Sequence, residues 1–268
     1  MIHPHTYIHP DAKLATNVKV DPFTVIHQNV EIGEGTWIGS NVTIMEGARI
    51  GKNCRVFPGA VLSAVPQDLK FSNEDSTVEI GDNTTIREYV TIHRGTKDRW
   101  KTVVGRDCLI MAYTHIAHDC IIGDHCILSN NTQVAGHVTV GSHAILAGMC
   151  AVHQFVKIGQ HCFVAGGSLV RKDVPPYIKA GRLPLSYAGV NSVGLKRKGF
   201  TTERINHIID IYRHIYNKGM NTTQALHYIE EEFPASDERD EIVTFIRDSG
   251  RGIIKRFSKN SLDEDLTD

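Results

Sequence analysis

VGRDCLIMAYTHIAHDCIIGDHCILSNNTQVAGHVTVGSHAI, Val104 to Ile145, divides into blocks of six residues. Each block opens on an aliphatic side chain: Val104, Ile110, Ile116, Ile122, Leu128, Val134 and Val140. The phase continues through Leu146, Val152, Ile158 and Val164 to Val170. Upstream it runs from Ile8 to Leu62 and reappears at Ile80, Ile86 and Ile92. Glycine often follows the aliphatic residue, and a small or β-branched residue usually stands four places on. This is the hexapeptide repeat of a β-helix. Each block supplies one short strand and one turn. Three blocks make a triangular coil of about 18 residues, and coils stack at roughly 4.8 Å.

Two breaks in phase predict loops thrown out from the coil: Ser63–Thr77, with Pro66 and mixed charge, and Lys97–Lys101, which carries Trp100. Loops on a rigid scaffold are where binding residues concentrate. After Val170 the repeat ends at Pro175-Pro176, and a connector with Gly181, Pro184 and Gly189 follows. From about Thr201 the apolar period becomes helical, with Ile205, Ile208, Ile209, Tyr212 and Ile215 on one face. Thr222 and Ser236 are expected N-caps of second and third helices, with Gly219 and Gly250 as stop signals. The expected division is a β-helix over residues 1–190 and a helical domain over 191–268. The acidic tail SKNSLDEDLTD, with little to pack, is expected to be disordered.

The chain has 268 residues, 41% hydrophobic and 22% charged, with a formal net charge of −1. That composition is globular and carries no global bias toward nucleic acid. No apolar run approaches the length of a transmembrane helix, and MIHPHTYIHP lacks the order of a signal peptide. A cytoplasmic location is expected. The six cysteines, Cys54, Cys108, Cys120, Cys126, Cys150 and Cys162, all occupy the small fourth-on position. They are expected to be reduced packing residues rather than metal ligands or disulfides.

The repeat also predicts which residues stack. If the Lys97–Lys101 excursion takes up one block, His93 aligns with Ala117, Ala135 and His153. His118 then aligns with Gly136 and Gln154, and Asp119 with His137 and Phe155. Histidines from different coils and different repeat positions converge around His118, which marks a candidate site. His125, His143 and His161 recur at one turn position and are expected to form a solvated column. On a neighbouring face Gly166 stacks on Gly148, Asn130 and Ala112. Such a column of small residues leaves a groove suited to an extended apolar chain or to close contact between subunits.

THIAHDC (Thr114–Cys120), AGHVTVG, AVHQF, TIHRGT, QDLK and GLKRKGF occur together in this chain. With these motifs it resembles the bacterial UDP-N-acetylglucosamine O-acyltransferase family over nearly its whole length. The resemblance implies a left-handed β-helix, a homotrimer with sites between subunits, and no cofactor or metal. It implies transfer of an (R)-3-hydroxyacyl group from acyl carrier protein to the glucosamine 3-hydroxyl of UDP-N-acetylglucosamine, the first step of lipid A synthesis. By motif match His118 is the general base, Asp119 its orienting acid, and the Gly136 backbone N–H the oxyanion donor. An ideal strand would point the adjacent side chains of His118 and Asp119 to opposite sides. Gln67, Asp68, Lys70, His93, His115, His137 and His153 would line the sugar and acyl site. Gly166 would stand where acyl length is measured, and Asn191 and Arg197 would hold the nucleotide end. Val193 and Lys198 depart from the family pattern, which has an acidic residue and a second arginine there. Lys157, Arg171, Lys172 and Lys179 would dock the acidic carrier protein.

Other readings stay open on the residues. A γ-type carbonic anhydrase β-helix would need three histidine ligands to a metal. The N-acyltransferase of the same pathway would carry an N-terminal domain before the repeat, for which a repeat starting at Ile8 leaves no room. A scaffold trimer would have no use for convergent histidines, and a 3-amino sugar nucleotide is an alternative acceptor.

Overall fold

A computed structural model describes residues 1–257. The expectation for the tail Ser258–Asp268 lies outside the described residues. The repeat builds three sheets, which we call I, II and III. Among the described residues they contain nine, eight and ten strands. Successive strands of one coil go to successive sheets, so each sheet pairs every third strand in parallel. Sheet I carries Thr91–His93, His115–Ile116, Gln133–Val134 and Ala151–Val152. Sheet II carries Ile121–Ile122, Thr139–Val140 and Lys157–Ile158, and sheet III Ile127–Leu128, Ile145–Leu146 and Phe163–Val164.

The aliphatic block openers form the core, with Ile26, Ile44, Ile92, Ile116, Leu128, Val134 and Val164 all wholly buried. Register follows the predicted stacking. His115 pairs with Gln133 one coil on, and with Thr91 across the Lys97–Lys101 excursion. The glycines after the openers are required by close approach of neighbouring coils. A Cβ on Gly81 would lie 2.5 Å from the Arg106 backbone nitrogen. The corners explain another part of the composition. Their second turn residue adopts the left-handed conformation, as at Asn53, Asp107, Asp119, His125, Asn131, His137, His143 and His161. Asn, Asp and His tolerate that region better than other side chains.

The six cysteines are free and buried. They do more than fill corners: the Cys120 thiol donates to the Ala135 carbonyl at 3.1 Å, as the Thr24 hydroxyl does to Gly39 at 2.7 Å. Burial pushes the Cys120 and Cys162 thiols up to about 12, so neither is a reactive thiolate.

Beyond the coil the chain is more structured than a connector. Ile178–Gly181 joins sheet III and pairs antiparallel with Ser186–Val190. A short helix, α1 (Ser192–Arg197), precedes α2 (Thr202–Asn217), α3 (Thr222–Glu232) and α4 (Asp237–Arg247). Asn221, not Thr222, caps α3: its side chain accepts from the Gln224 N–H while Gln224 reaches back, a reciprocal capping box. Ser236 caps α4 as expected. The buried face of α2 includes Ile211 in place of the only partly buried Ile209. The Tyr212 hydroxyl donates to the Pro176 carbonyl at 2.6 Å and ties α2 to the end of the coil.

Candidate active site

The strand His115–Ile116 ends at a corner between sheets I and II, where His118 and Asp119 form the turn. The strand geometry that would separate their side chains does not apply there. With φ of 58° at Asp119, the carboxylate folds back and its Oδ2 lies 2.8 Å from His118 Nδ1. Asp119 is wholly buried. Its Oδ1 accepts from the Thr96 N–H at 2.9 Å and the Arg99 N–H at 3.1 Å. Oδ2 accepts from the Thr96 hydroxyl at 2.7 Å and from His118. Burial alone would raise the carboxyl pKa. The Thr96 hydroxyl, His118 and the two backbone donors outweigh it and hold the group below the usual carboxylate range.

With Nδ1 committed to Asp119, Nε2 is the ring nitrogen left to act, and His118 lines a cavity of about 440 Å³. That tautomer is assigned from the hydrogen bond. Gln67, His93, His115, Gln133, Gly136 and Gln154 contribute to the walls. Gly136 stacks directly on the imidazole: a Cβ there would come 2.7 Å from Cε1 and 2.8 Å from Nε2. The Gly136 N–H has no hydrogen-bond partner among the described residues. The other residues at this corner position, such as Gln154, share that feature, so the missing side chain distinguishes Gly136, not the free donor.

His93 is buried and meets His115 edge to face, with ring centroids 4.7 Å apart. Burial, then His115 and His118, push its pKa down to about 4. His115 is lowered by burial and by His118, and its Nδ1 lies 2.7 Å from the Thr91 hydroxyl. Burial thus favours the neutral form of both His93 and His115. His137 stands perpendicular to His118 at 5.0 Å and stacks on Phe155 at 4.5 Å. It opens on an adjoining cleft with Arg99, Lys157 and Arg251 rather than on the His118 cavity. Ligand atoms of His118, Asp119 and His137 lie within 4.8 Å of one another. Each Asp119 oxygen already accepts two hydrogen bonds, so a cation there would have to displace them.

Family models match at two levels. The bacterial transferase hexapeptide model matches residues 29–64 and 101–136, and the second domain of Udp N-acetylglucosamine O-acyltransferase matches 173–254. The acyl-[acyl-carrier-protein]–UDP-N-acetylglucosamine O-acyltransferase of a Sulfurihydrogenibium species is 56% identical, covering 97% of both chains. Its counterpart from Chlorobium phaeobacteroides is 61% identical over 93% of this chain and 94% of that one. The solved UDP-N-acetylglucosamine acyltransferase of Bacteroides fragilis is 49% identical with a TM-score of 0.94, covering 95% of this chain and 100% of the other. The chain belongs to the acyl-[acyl-carrier-protein]–UDP-N-acetylglucosamine O-acyltransferase family.

As in that O-acyltransferase family, the fold is a left-handed β-helix with a small helical end. The remaining residues that the family resemblance pointed to are spread round the prism. Asp68 and Lys70 lie on the loop between the strands Val61–Ala64 and Thr77–Ile80, outside the cavity wall that Gln67 reaches, and the Asp68 side chain accepts from the Lys70 N–H at 3.0 Å. His153 is exposed, its Nδ1 3.1 Å from the Gln154 carbonyl. Gly166 occupies the opposite edge of sheet I, at the corner with sheet III, in close contact with Gly148. Asn191 donates to the His161 carbonyl at 2.9 Å at the third corner, and exposed Arg197 follows in α1.

That third corner corrects one expectation. His125, His143 and His161 are not a solvated column but a ladder of stacked rings, 4.6 Å apart at each step. Tyr177 and Phe200 cover its end and bury His161. Burial first, then the nearby His143, Lys198 and Arg204, push His161 down to about 4. A free histidine titrates near 6.5, so between about pH 6.5 and about 4 the unfolded chain binds more protons than the folded one. Stability is accordingly expected to fall as pH drops through that window, by on the order of 2–3 kcal/mol at its acid end for each of His93 and His161. Urea unfolding across this range checks it, and a flatter slope is expected in His161→Gln.

Motif reading did not single out Thr96 and Arg99 as site residues. The available signal was positional: both precede or lie in the excursion that interrupts the repeat one coil before His118.

Proposed function

We propose that the protein transfers an (R)-3-hydroxyacyl group from acyl carrier protein to the 3-hydroxyl of UDP-N-acetylglucosamine, committing the sugar to lipid A synthesis. The observation that carries this reading is the His118 imidazole, which lines a cavity while its Nδ1 is held by a buried, charged Asp119. A sugar hydroxyl is a poor nucleophile at neutral pH. His118 Nε2 takes its proton as the oxygen attacks the thioester carbonyl. Asp119 stabilises the imidazolium that forms without itself taking the proton. The Gly136 N–H donates to the oxyanion of the tetrahedral intermediate. Collapse forms the ester and expels the carrier thiolate, which takes the proton back from His118. No covalent acyl-enzyme intervenes.

The working unit in this reading is a homotrimer in the cytoplasm. His118, Gly166 and Asn191 occupy three different corners of one prism, so a single chain does not gather them. Threefold packing of parallel prisms sets different corners of neighbouring subunits side by side, which supports sites between subunits. In sheet III, Leu109, Ile127, Ile145 and Phe163 follow one another on its outer, half-buried face, an apolar strip suited to such packing. The acyl chain would then lie along the Gly166–Gly148 column, and Asn191, Arg197 and Lys198 would meet the nucleotide. Lys157, Arg171, Lys172 and Lys179 would receive the acidic carrier protein. No described helix is long and apolar enough to cross a membrane.

Acyl length tests the placement of the chain. With carrier proteins bearing a graded series of 3-hydroxyacyl chains, Gly166→Met is expected to shift the optimum to shorter chains. Its Cβ would sit 3.0 Å from the Gly148 carbonyl oxygen, and the rest of the side chain would extend into the column. An unchanged optimum removes Gly166 from the acyl path.

A further inference from the structure

We infer that Thr96 is a positioning residue for acyl transfer: its hydroxyl and its backbone N–H together fix the Asp119 carboxylate and, through it, the His118 ring. The inference rests on the reading of His118 as the base. Thr96 is buried and does not line the His118 cavity, so it acts through Asp119 rather than on substrate.

Thr96 supplies two of the four hydrogen bonds to the carboxylate, one to each oxygen. A carboxylate with both oxygens held has one rotamer, and that rotamer sets Oδ2 at 2.8 Å from His118 Nδ1. Among the described residues no Lys or Arg side chain bonds the carboxylate. The Arg99 guanidinium turns instead to the Asp119 carbonyl, at 2.8 Å. Hydrogen bonds therefore keep Asp119 ionised against the cost of burial, and that from the Thr96 hydroxyl is the largest of them.

The loop is built to hold Thr96 still. The Ser76 hydroxyl donates to the Gly95 carbonyl, and the Gly95 N–H to Thr77 at 3.2 Å. The Trp100 N–H returns to the Thr96 carbonyl at 2.7 Å, and the Thr77 N–H binds the Trp100 carbonyl at 3.0 Å. Gly95 lets the turn close on itself, since a Cβ there would lie 2.2 Å from the Lys101 nitrogen. The same loop brings the Asp98 carboxylate to 3.0 Å from His137 Nδ1. The excursion that interrupts the repeat is thus a clamp on the catalytic corner one coil above it.

The test compares wild type, Thr96→Val and Thr96→Ser in steady-state transfer from 3-hydroxyacyl carrier protein to UDP-N-acetylglucosamine, with unfolding midpoints measured alongside. Valine keeps the shape and loses the hydroxyl. It is expected to lower kcat roughly ten- to a hundredfold, with both KM values within about twofold. Serine, which keeps the donor, is expected to restore most of kcat. If the valine protein does not fold, Thr96→Ala carries the same comparison. Wild-type kcat in the valine variant, a rise in KM alone, or serine as impaired as valine would each overturn the inference while leaving His118 as base. A wild-type enzyme without transfer activity overturns the reading and the inference together.

Discussion

His118→Ala is expected to lower kcat for acyl transfer by roughly 10²- to 10⁴-fold, with KM little changed and the fold intact. The expectation separates chemistry from scaffold because of where His118 sits. Its ring is at a corner, outside the aliphatic core, and the hydrogen bond that would be lost is the one to Asp119. Asp119 retains the Thr96 and Arg99 donors, so no buried charge is left unsupported. Thermal unfolding of the variant should stay close to that of wild type. Near-normal turnover in a folded His118→Ala protein removes the base assignment, and then Gly136 and the histidine-lined wall would have to be read as a binding site only.

The largest effect on stability is expected from a single methyl group. Gly81→Ala should destabilise the coil by roughly 3 kcal/mol or more. The added Cβ would meet backbone, not a movable side chain: Arg106 N at 2.5 Å, Gly105 C at 2.7 Å and Arg106 Cα at 2.9 Å. That backbone cannot retreat, because the Gly81 N–H is bonded to the Val104 carbonyl and the Gly105 N–H to Ile122, each at 2.8 Å. In a solenoid each coil is held by its neighbours, so the damage falls on one coil interface and uncouples the stacks on either side. Gly250→Ala is the control. Nothing lies within 4 Å of a Cβ there, and the change is expected to stay within about 0.5 kcal/mol. Urea unfolding of both proteins makes the comparison. Equal midpoints would mean that the glycine column tolerates a side chain.

What the repeat made legible is what recurs. Every block solves the same problem of one strand and one corner, so the aliphatic openers, the glycines and the corner cysteines could be read from spacing alone. The stacking of His118 on Gly136 followed from the same count, and the pairing of Thr91 with His115 showed that the excursion inserts one block. The features that do not recur were hidden. The grip of Thr96 and Arg99 on Asp119 depends on the path of an out-of-phase loop, which periodicity does not describe. The burial of His161 depends on Tyr177 and Phe200 folding over the end of its column, a contact made by residues past the last coil. The Ser186–Val190 strand and α1 lay in a segment whose Gly181, Pro184 and Gly189 read as a connector. At α3 the cap moved by one residue because Asn221 keeps extended backbone and can reach the Gln224 N–H. The dispersal of His118, Gly166 and Asn191 over three corners was implicit in the block count but becomes informative only once sheets I, II and III are placed around one axis.

The most direct measurement is a transfer assay with purified protein, 3-hydroxyacyl carrier protein and UDP-N-acetylglucosamine, with both products identified by mass and the acylated position assigned by NMR. The account predicts equal amounts of free carrier thiol and a nucleotide sugar esterified at the 3-hydroxyl, with no acylated protein trapped on quenching. Thiol release without an acylated sugar, or a stable acyl group on the protein, would contradict it.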